Sequence, residues 1–198
     1  MLRLSKMKYC IIDTESGSRK PESTLLSAYF LITDENLTSV DELSLLLKPD
    51  TDCLYSLDAQ GMAINRINIV EHDKKALTYK QAKSTLYAFL QDHVKKERLT
   101  PVGHAIKGDI LRITENLISE GSWHQFCTYH YLDTSVILQY LRACGKMPLD
   151  CDGSVGALAD YFHIKIGGNL HDCKIDALLT AEIFKKFIEL GNHNEINT

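Results

Sequence analysis

Apolar and polar positions along the chain follow two different periods. Residues 8–15 (KYCIIDTE) hold a short apolar, β-branched run that ends in acids, which reads as a buried strand delivering polar groups at its end. Residues 24–33 (TLLSAYFLIT) and 38–48 (TSVDELSLLLK) read as two more strands. The polar turn Asp34-Glu35-Asn36 between them makes the first three strands an antiparallel meander. A short helix is predicted within 56–69 and a longer one over about 78–96. In the longer one Thr78 is placed to cap, Gln81 stands at capping-box spacing, and Ala82, Leu86, Phe89 and Leu90 form one face.

After Pro101 the connectivity changes. A short strand over 101–105 leads to a helix over 108–119, then a strand over 127–132 and a helix over 134–144. Asp152 or Ser154 opens another helix that runs through Phe162. The last helix, about 172–190, is expected to bury Ile175, Leu178, Leu179, Ile183, Phe184 and Phe187. The pattern predicts an α/β fold: a mixed five-stranded sheet, three antiparallel strands then two parallel, flanked by helices on both faces. No internal repeat, low-complexity tract or linker interrupts it. Residues 1–198 are therefore read as one domain, with a core over about 8–190, a short N-terminal extension and a loose tail over 192–198.

Composition narrows the class. At 198 residues, 44% hydrophobic and 24% charged, the chain matches a soluble globular protein and excludes a disordered, collagen-like or fibrous one. The longest near-continuous apolar stretch, 25–32, is far short of the roughly 20 residues that span a bilayer, so no membrane partner is expected. The opening residues Met1-Leu2-Arg3-Leu4-Ser5-Lys6 carry no apolar signal core, which points to a cytoplasmic protein. Twenty-two basic against 26 acidic residues give a net charge of −4, the wrong sign for a sequence-independent nucleic-acid coat. A cluster of carboxylates offset by metal ions would reconcile that sign with nucleic-acid chemistry. The six cysteines (Cys10, Cys53, Cys127, Cys144, Cys151, Cys173) form no CxxC pair and read as small buried hydrophobes.

Three acidic motifs stand out. In Asp13-Thr14-Glu15, strand alternation puts both carboxylates on one face at the strand's end, where their mutual repulsion invites a divalent cation. In Gly103-His104-Ala105-Ile106-Lys107-Gly108-Asp109, a strand turns into a helix whose first turn carries Asp109. In His171-Asp172-Cys173-Lys174-Ile175-Asp176, a histidine precedes a helix whose early turn carries an acid five residues on. Each alone has an ordinary structural account: acids end strands, favour helix N-termini, or cap helices, as Asp172 and Asp133 are placed to do.

Together and in this order, DxE, GHxxxxD and HxxxxD resemble the DnaQ-like (DEDD) 3′–5′ exonuclease superfamily, which is built on a ribonuclease H-like fold. The histidine subgroup, DEDDh, is the nearer likeness. The sister subgroup has a tyrosine four positions before the last aspartate, and that position here is Asp172, with His171 five before. The likeness runs from Lys8 to about Leu190, and the stretches Met62-Ala63-Ile64-Asn65-Arg66-Ile67-Asn68 and Tyr131-Leu132-Asp133-Thr134-Ser135 look like family connectors. Two departures are visible: Ser16-Gly17-Ser18 follows DxE where the family often has a threonine or glycine pair, and Ala105 stands where the family often has asparagine.

The resemblance implies hydrolysis of phosphodiester bonds of DNA or RNA from the 3′ end, releasing nucleoside 5′-monophosphates. It implies two ions, Mg²⁺ or Mn²⁺, held by Asp13, Glu15, Asp109 and Asp176, with His171 as general base. Asp13 would bridge, Glu15 and Asp176 would serve the ion that activates water, and Asp109 would act mostly through water. Substrate contacts fall to Thr14 and Gly17 at the terminal sugar, to Asn65 and Met62 at its base, and to His104 near the nucleotide. Arg19, Lys20, Arg66 and Lys107 are candidate basic groups at the cleft. The implied partners are single-stranded nucleic acid or 3′ ends; whether the chain proofreads for a polymerase partner, trims RNA or degrades short oligonucleotides stays open. Oligomeric state and the choice between DNA and RNA are not encoded in these motifs. Two other readings stay open at this level: a non-catalytic nucleic-acid or polymerase-binding module on the same fold, and an α/β protein whose acids are all caps.

Overall fold

The computed structural model describes residues 7–20, 22–51, 53–94, 97–168 and 170–192. The N-terminal extension, the tail beyond 192 and the lysine pair 95–96 lie outside them. Three strands, β1 (Tyr9–Ser16), β2 (Leu25–Thr33) and β3 (Ser39–Lys48), form the expected antiparallel meander. Next come α1 (Ala59–Asn65), α2 (Ile69–Lys75), β4 (Leu77–Thr78) and α3 (Tyr79–His93). Then follow β5 (Thr100–Gly103), α4 (Lys107–Asn116), α5 (Glu120–Phe126), β6 (Leu132–Asp133), α6 (Thr134–Ala143), α7 (Val155–Tyr161) and α8 (Cys173–Asn192).

The sheet has six strands in the order β4-β3-β2-β1-β5-β6. β5 runs parallel to β1, and β6 parallel to β5. The five-stranded expectation is corrected by β4, two residues that pair in parallel with Leu47 and Lys48. A pair this short has no periodicity of its own and exists through its partner. The strand expected over 127–132 is reduced to β6 and a single bridge between Leu99 and Cys127, because Thr128 turns its hydroxyl onto the His130 carbonyl between them.

Helix starts follow local chemistry. Thr78 and Gln81 close a reciprocal capping box on α3, Ser154 caps α7, and Asp133 caps α6. Two short helices carry no long apolar stripe: α2, capped by Asn68, and α5, capped by Ser119. α5 gives Trp123 and Phe126 their place in the core, and Trp123 is fully buried.

The core has two faces because β2 is buried at every position, as befits a strand covered on both sides. Cys10, Ile12, Ala28, Phe30 and Ile32 pack against Ala82, Leu86 and Leu90 of α3, and against Ile113 and Trp123. Ile11, Tyr29, Leu31 and Val102 pack against Cys173, Ala177, Ala181 and Phe184 of α8. Of the α8 residues expected inside, Leu179, Ile183, Phe184 and Phe187 are buried, whereas Ile175 and Leu178 are half-buried. Among the described residues no helix is long and apolar enough to cross a membrane. The consequence for the site is direct: the C-terminal end of β1 lies between the starts of α4 and α8.

Candidate metal centre and nucleic-acid cleft

β1 pairs with β2 through Glu15 and Ser27, after which a bulge breaks the register between Glu15 and Ser16. The ladder therefore ends where the acids are, and the alternating pleat sends Asp13 and Glu15 to the Ile11 side, toward α8, and Thr14 to the other. Thr14 meets α4: its hydroxyl donates to Asp109 Oδ1 at 2.5 Å. Asp109 sits in the first turn of α4, buried. Asp176 sits in the first turn of α8, also buried. Its Oδ2 accepts the backbone N–H of His171 at 3.0 Å, while Oδ1 is buried with no hydrogen-bond partner among the described residues. Asp172 caps this helix through Lys174 N at 2.9 Å. His171 adopts a left-handed backbone, φ 67°, with its side chain exposed. Ligand atoms of Glu15, His171 and Asp176 all lie within 4.8 Å of one another. Asp13 and Asp109 stand outside that tight group but close enough to act on it electrostatically.

These carboxyls disfavour ionisation together. Burial, then the charges of Asp109, Asp176 and Glu15, push Asp13 well above the usual carboxylate range. Burial, then Asp176 and Asp109, push Glu15 up to about 8, against the pull of Arg112. Burial pushes Asp109 to about 7 despite the Thr14 hydrogen bond and Arg112. Burial also raises Asp176, opposed by the His171 backbone N–H and side chain. Repelling carboxylates, a buried oxygen without a donor, and an imidazole within reach fit a divalent cation, which would let the acids stay ionised.

The residues expected to touch substrate are differently placed. Gly17 is buried, donates its N–H to Thr24 O at 2.9 Å and accepts from Asp58 N at 3.0 Å. A Cβ there would stand 2.3 Å from Leu57 Cδ2 and 2.7 Å from Ser56 O, so glycine is required by close packing. Asn65 is buried and spends its side chain on Ser16 O and Ile67 N, tying α1 to the end of β1. Met62 is half-buried on α1. His104 bonds Thr134 Oγ1 at 2.9 Å and borders a cavity of about 780 Å³ beside His171 and Asp176. Burial lowers its proton affinity. Ala105 has φ 56°, a left-handed conformation that asparagine tolerates better than alanine.

His171 borders three separate clefts, and Glu15 two of them. Arg66 lines one with Glu15 and His171; Arg19 and Arg112 line another. Arg112 was not among the basic groups expected from sequence. Its signal was present, since it stands three residues after Asp109 and so shares its helix face.

No family model matches the chain, and no curated protein matches it by sequence. Solved structures do match. The zinc-bound complex of E. coli exonuclease I with single-stranded DNA aligns with TM-score 0.71 and 17% identity, over 91% of this chain and 40% of that one. Exonuclease I from Methylocaldum szegediense aligns with TM-score 0.72 and 18% identity, over 92% of this chain and 40% of that one. Cell-death related nuclease 4 (CRN-4) aligns with TM-score 0.72 and 16% identity, over 93% of this chain and 64% of that one. The chain thus spans about two-fifths of the length of exonuclease I and under two-thirds of CRN-4. What it shares with these nucleases is the mixed α/β fold.

Proposed function

We propose that the chain is a metal-dependent 3′–5′ exonuclease of the DnaQ-like type, histidine subgroup, acting on single strands. The observation that carries this reading is the convergence of Asp13, Glu15, Asp109, Asp176 and His171, from three distant segments, around the unpartnered Asp176 Oδ1. The fold shared with exonuclease I and CRN-4, and the DNA in the exonuclease I complexes, support it. Asp13, Glu15, Asp109 and Asp176 would hold two Mg²⁺ or Mn²⁺ ions, which supply charge neutralisation and lower the pKa of water.

The chain's own groups do the rest. His171, exposed at the mouth of the site, takes the proton of the attacking water at a ring nitrogen. As water oxygen bonds to phosphorus, the P–O3′ bond breaks and the upstream strand leaves with a 3′-hydroxyl. Asp176 Oδ2, fastened to the His171 backbone, fixes the loop that carries this base. Thr14 orients Asp109 by its hydroxyl.

The test incubates purified protein with 5′-labelled single-stranded DNA and RNA of one sequence, in Mg²⁺, Mn²⁺ or EDTA. The expected result is a metal-dependent ladder shortening from the 3′ end. A folded protein that binds both strands and cleaves neither, in either metal, would replace this reading with that of a binding module.

A further inference from the structure

Most cations near the start of α8 and the end of β3 are already paired: Lys174 with Glu42 at 2.5 Å and Lys48 with Asp73 at 3.6 Å. Arg112 differs. It lies on α4 one turn past Asp109, with its Nη1 folded back over Gly108, where a Cβ would stand 3.2 Å away. Its Nε is buried and has no hydrogen-bond partner among the described residues. Its charge reaches Glu15 and Asp109, lowering the proton affinity of each, yet it ion-pairs with neither among the described residues. The guanidinium opens on a cleft of about 240 Å³, lined also by Thr14, Glu15, Ser18, Arg19 and His171.

A planar fork of donors left unused beside a carboxylate cluster suits an anion held between the two. A free carboxylate would be repelled by Glu15 and its neighbours unless cations lay between, and the proposed chemistry delivers a phosphodiester to that position. We propose that Arg112 binds the scissile phosphate, donating hydrogen bonds to its non-bridging oxygens in the cleft that it shares with His171. This rests on the nuclease reading above and adds a residue to it. Arginine–phosphate pairs are charge-assisted and can be bidentate, so the contact both places the phosphate and offsets the charge that builds on it during attack. Arg19, exposed at the rim of the same cleft, is placed for steering.

The test compares wild type with Arg112→Gln, Arg112→Lys and, as a charge control, Lys185→Gln on the exposed face of α8. Binding of a 5′-fluorescein dT12 strand is followed by anisotropy in EDTA at pH 6, over about 20–150 mM salt. Arg112→Gln is expected to weaken binding about 10- to 100-fold and to flatten the plot of log Kd against log salt by about 0.7, the amount for one phosphate of a single strand. Arg112→Lys should keep the slope while losing part of the affinity, and Lys185→Gln should match wild type. In Mg²⁺, single-turnover cleavage by Arg112→Gln should fall by about 10²-fold. If wild type binds and cleaves while Arg112→Gln keeps its slope and rate, the phosphate assignment is overturned and Arg112 only offsets the carboxylates. If wild type neither binds nor cleaves, the nuclease reading falls, and this assignment with it.

Discussion

Asp109→Asn should make the metal-free protein more stable at pH 8 while destroying its function. Asp109 is buried and its carboxyl is held up to about 7, whereas an aspartate in an unfolded chain ionises near 3.9. Between those values the folded state keeps a proton that the unfolded state has lost, so stability falls as pH rises, by about 1.36 kcal/mol per pH unit for each such group. The full contribution is present below about pH 4 and is lost through pH 7. Over three pH units the cost of ionising Asp109 is about 4 kcal/mol, and water entering the open clefts reduces this to about 2–4 kcal/mol. Asparagine carries no charge at any pH and still offers an oxygen to the Thr14 hydroxyl.

In a chain of this size, 1 kcal/mol moves Tm by about 2–4 °C. The variant in EDTA should therefore melt about 5–15 °C above wild type at pH 8, and only about a third as far above it at pH 5. Adding Mg²⁺ or Mn²⁺ should stabilise the wild type at pH 8 by about 2.7 kcal/mol when the ion stands at a hundred times its Kd, raising its Tm accordingly, and should stabilise the variant much less. Differential scanning calorimetry across pH 5 to 8, with EDTA or metal, reads all of this. A wild-type Tm flat across that range in EDTA, or a variant less stable than wild type at pH 8, would refute the claim that burial holds the Asp109 carboxyl protonated in the fold.

Three further outcomes follow from the geometry. His171→Ala should lower kcat by about 10²–10⁴ and leave Tm within a few degrees, because the exposed ring packs little; single-turnover cleavage and a melt check both. Ala105→Asn should stabilise by about 0.5–1 kcal/mol, since asparagine tolerates φ 56° better, and urea unfolding should show a higher midpoint at unchanged slope. Gly61→Ala should destabilise by about 1–3 kcal/mol despite alanine's better helix propensity, because its Cβ would lie 2.4 Å from Gly17 O and drive α1 from β1; equal stability would show that α1 can shift freely.

What could be read in the sequence was what local chemistry determines. Thr78 with Gln81, Asp133, and the pair Asp152 or Ser154, of which Ser154 is the cap, announced helix starts, because a cap lies within a few residues of what it satisfies. The alternation in 8–15 placed Asp13 and Glu15 on one face before any fold was known. What escaped depended on distant partners. β4 exists only against Leu47 and Lys48, and α5 is too short for its period to show, although it holds Trp123. Gly17 and Asn65 were expected at the substrate, yet their hydrogen bonds and packing are spent inside the protein, holding the loop after β1 to α1. Burial is invisible in a linear motif. Arg112 was legible as the helix-face neighbour of Asp109 but was passed over, because its unsatisfied Nε belongs to the folded state.

The central claim is tested most directly by identifying the first product. A single strand carrying a 3′-terminal fluorescent base would be incubated with wild type and with Asp13→Asn in Mn²⁺, and the products resolved by chromatography and mass spectrometry at early times. The account predicts that wild type releases the labelled nucleoside 5′-monophosphate as its first product, that EDTA stops the release, and that Asp13→Asn releases none while remaining folded. Labelled fragments several nucleotides long, nucleoside 3′-monophosphates, or equal release by Asp13→Asn would contradict it.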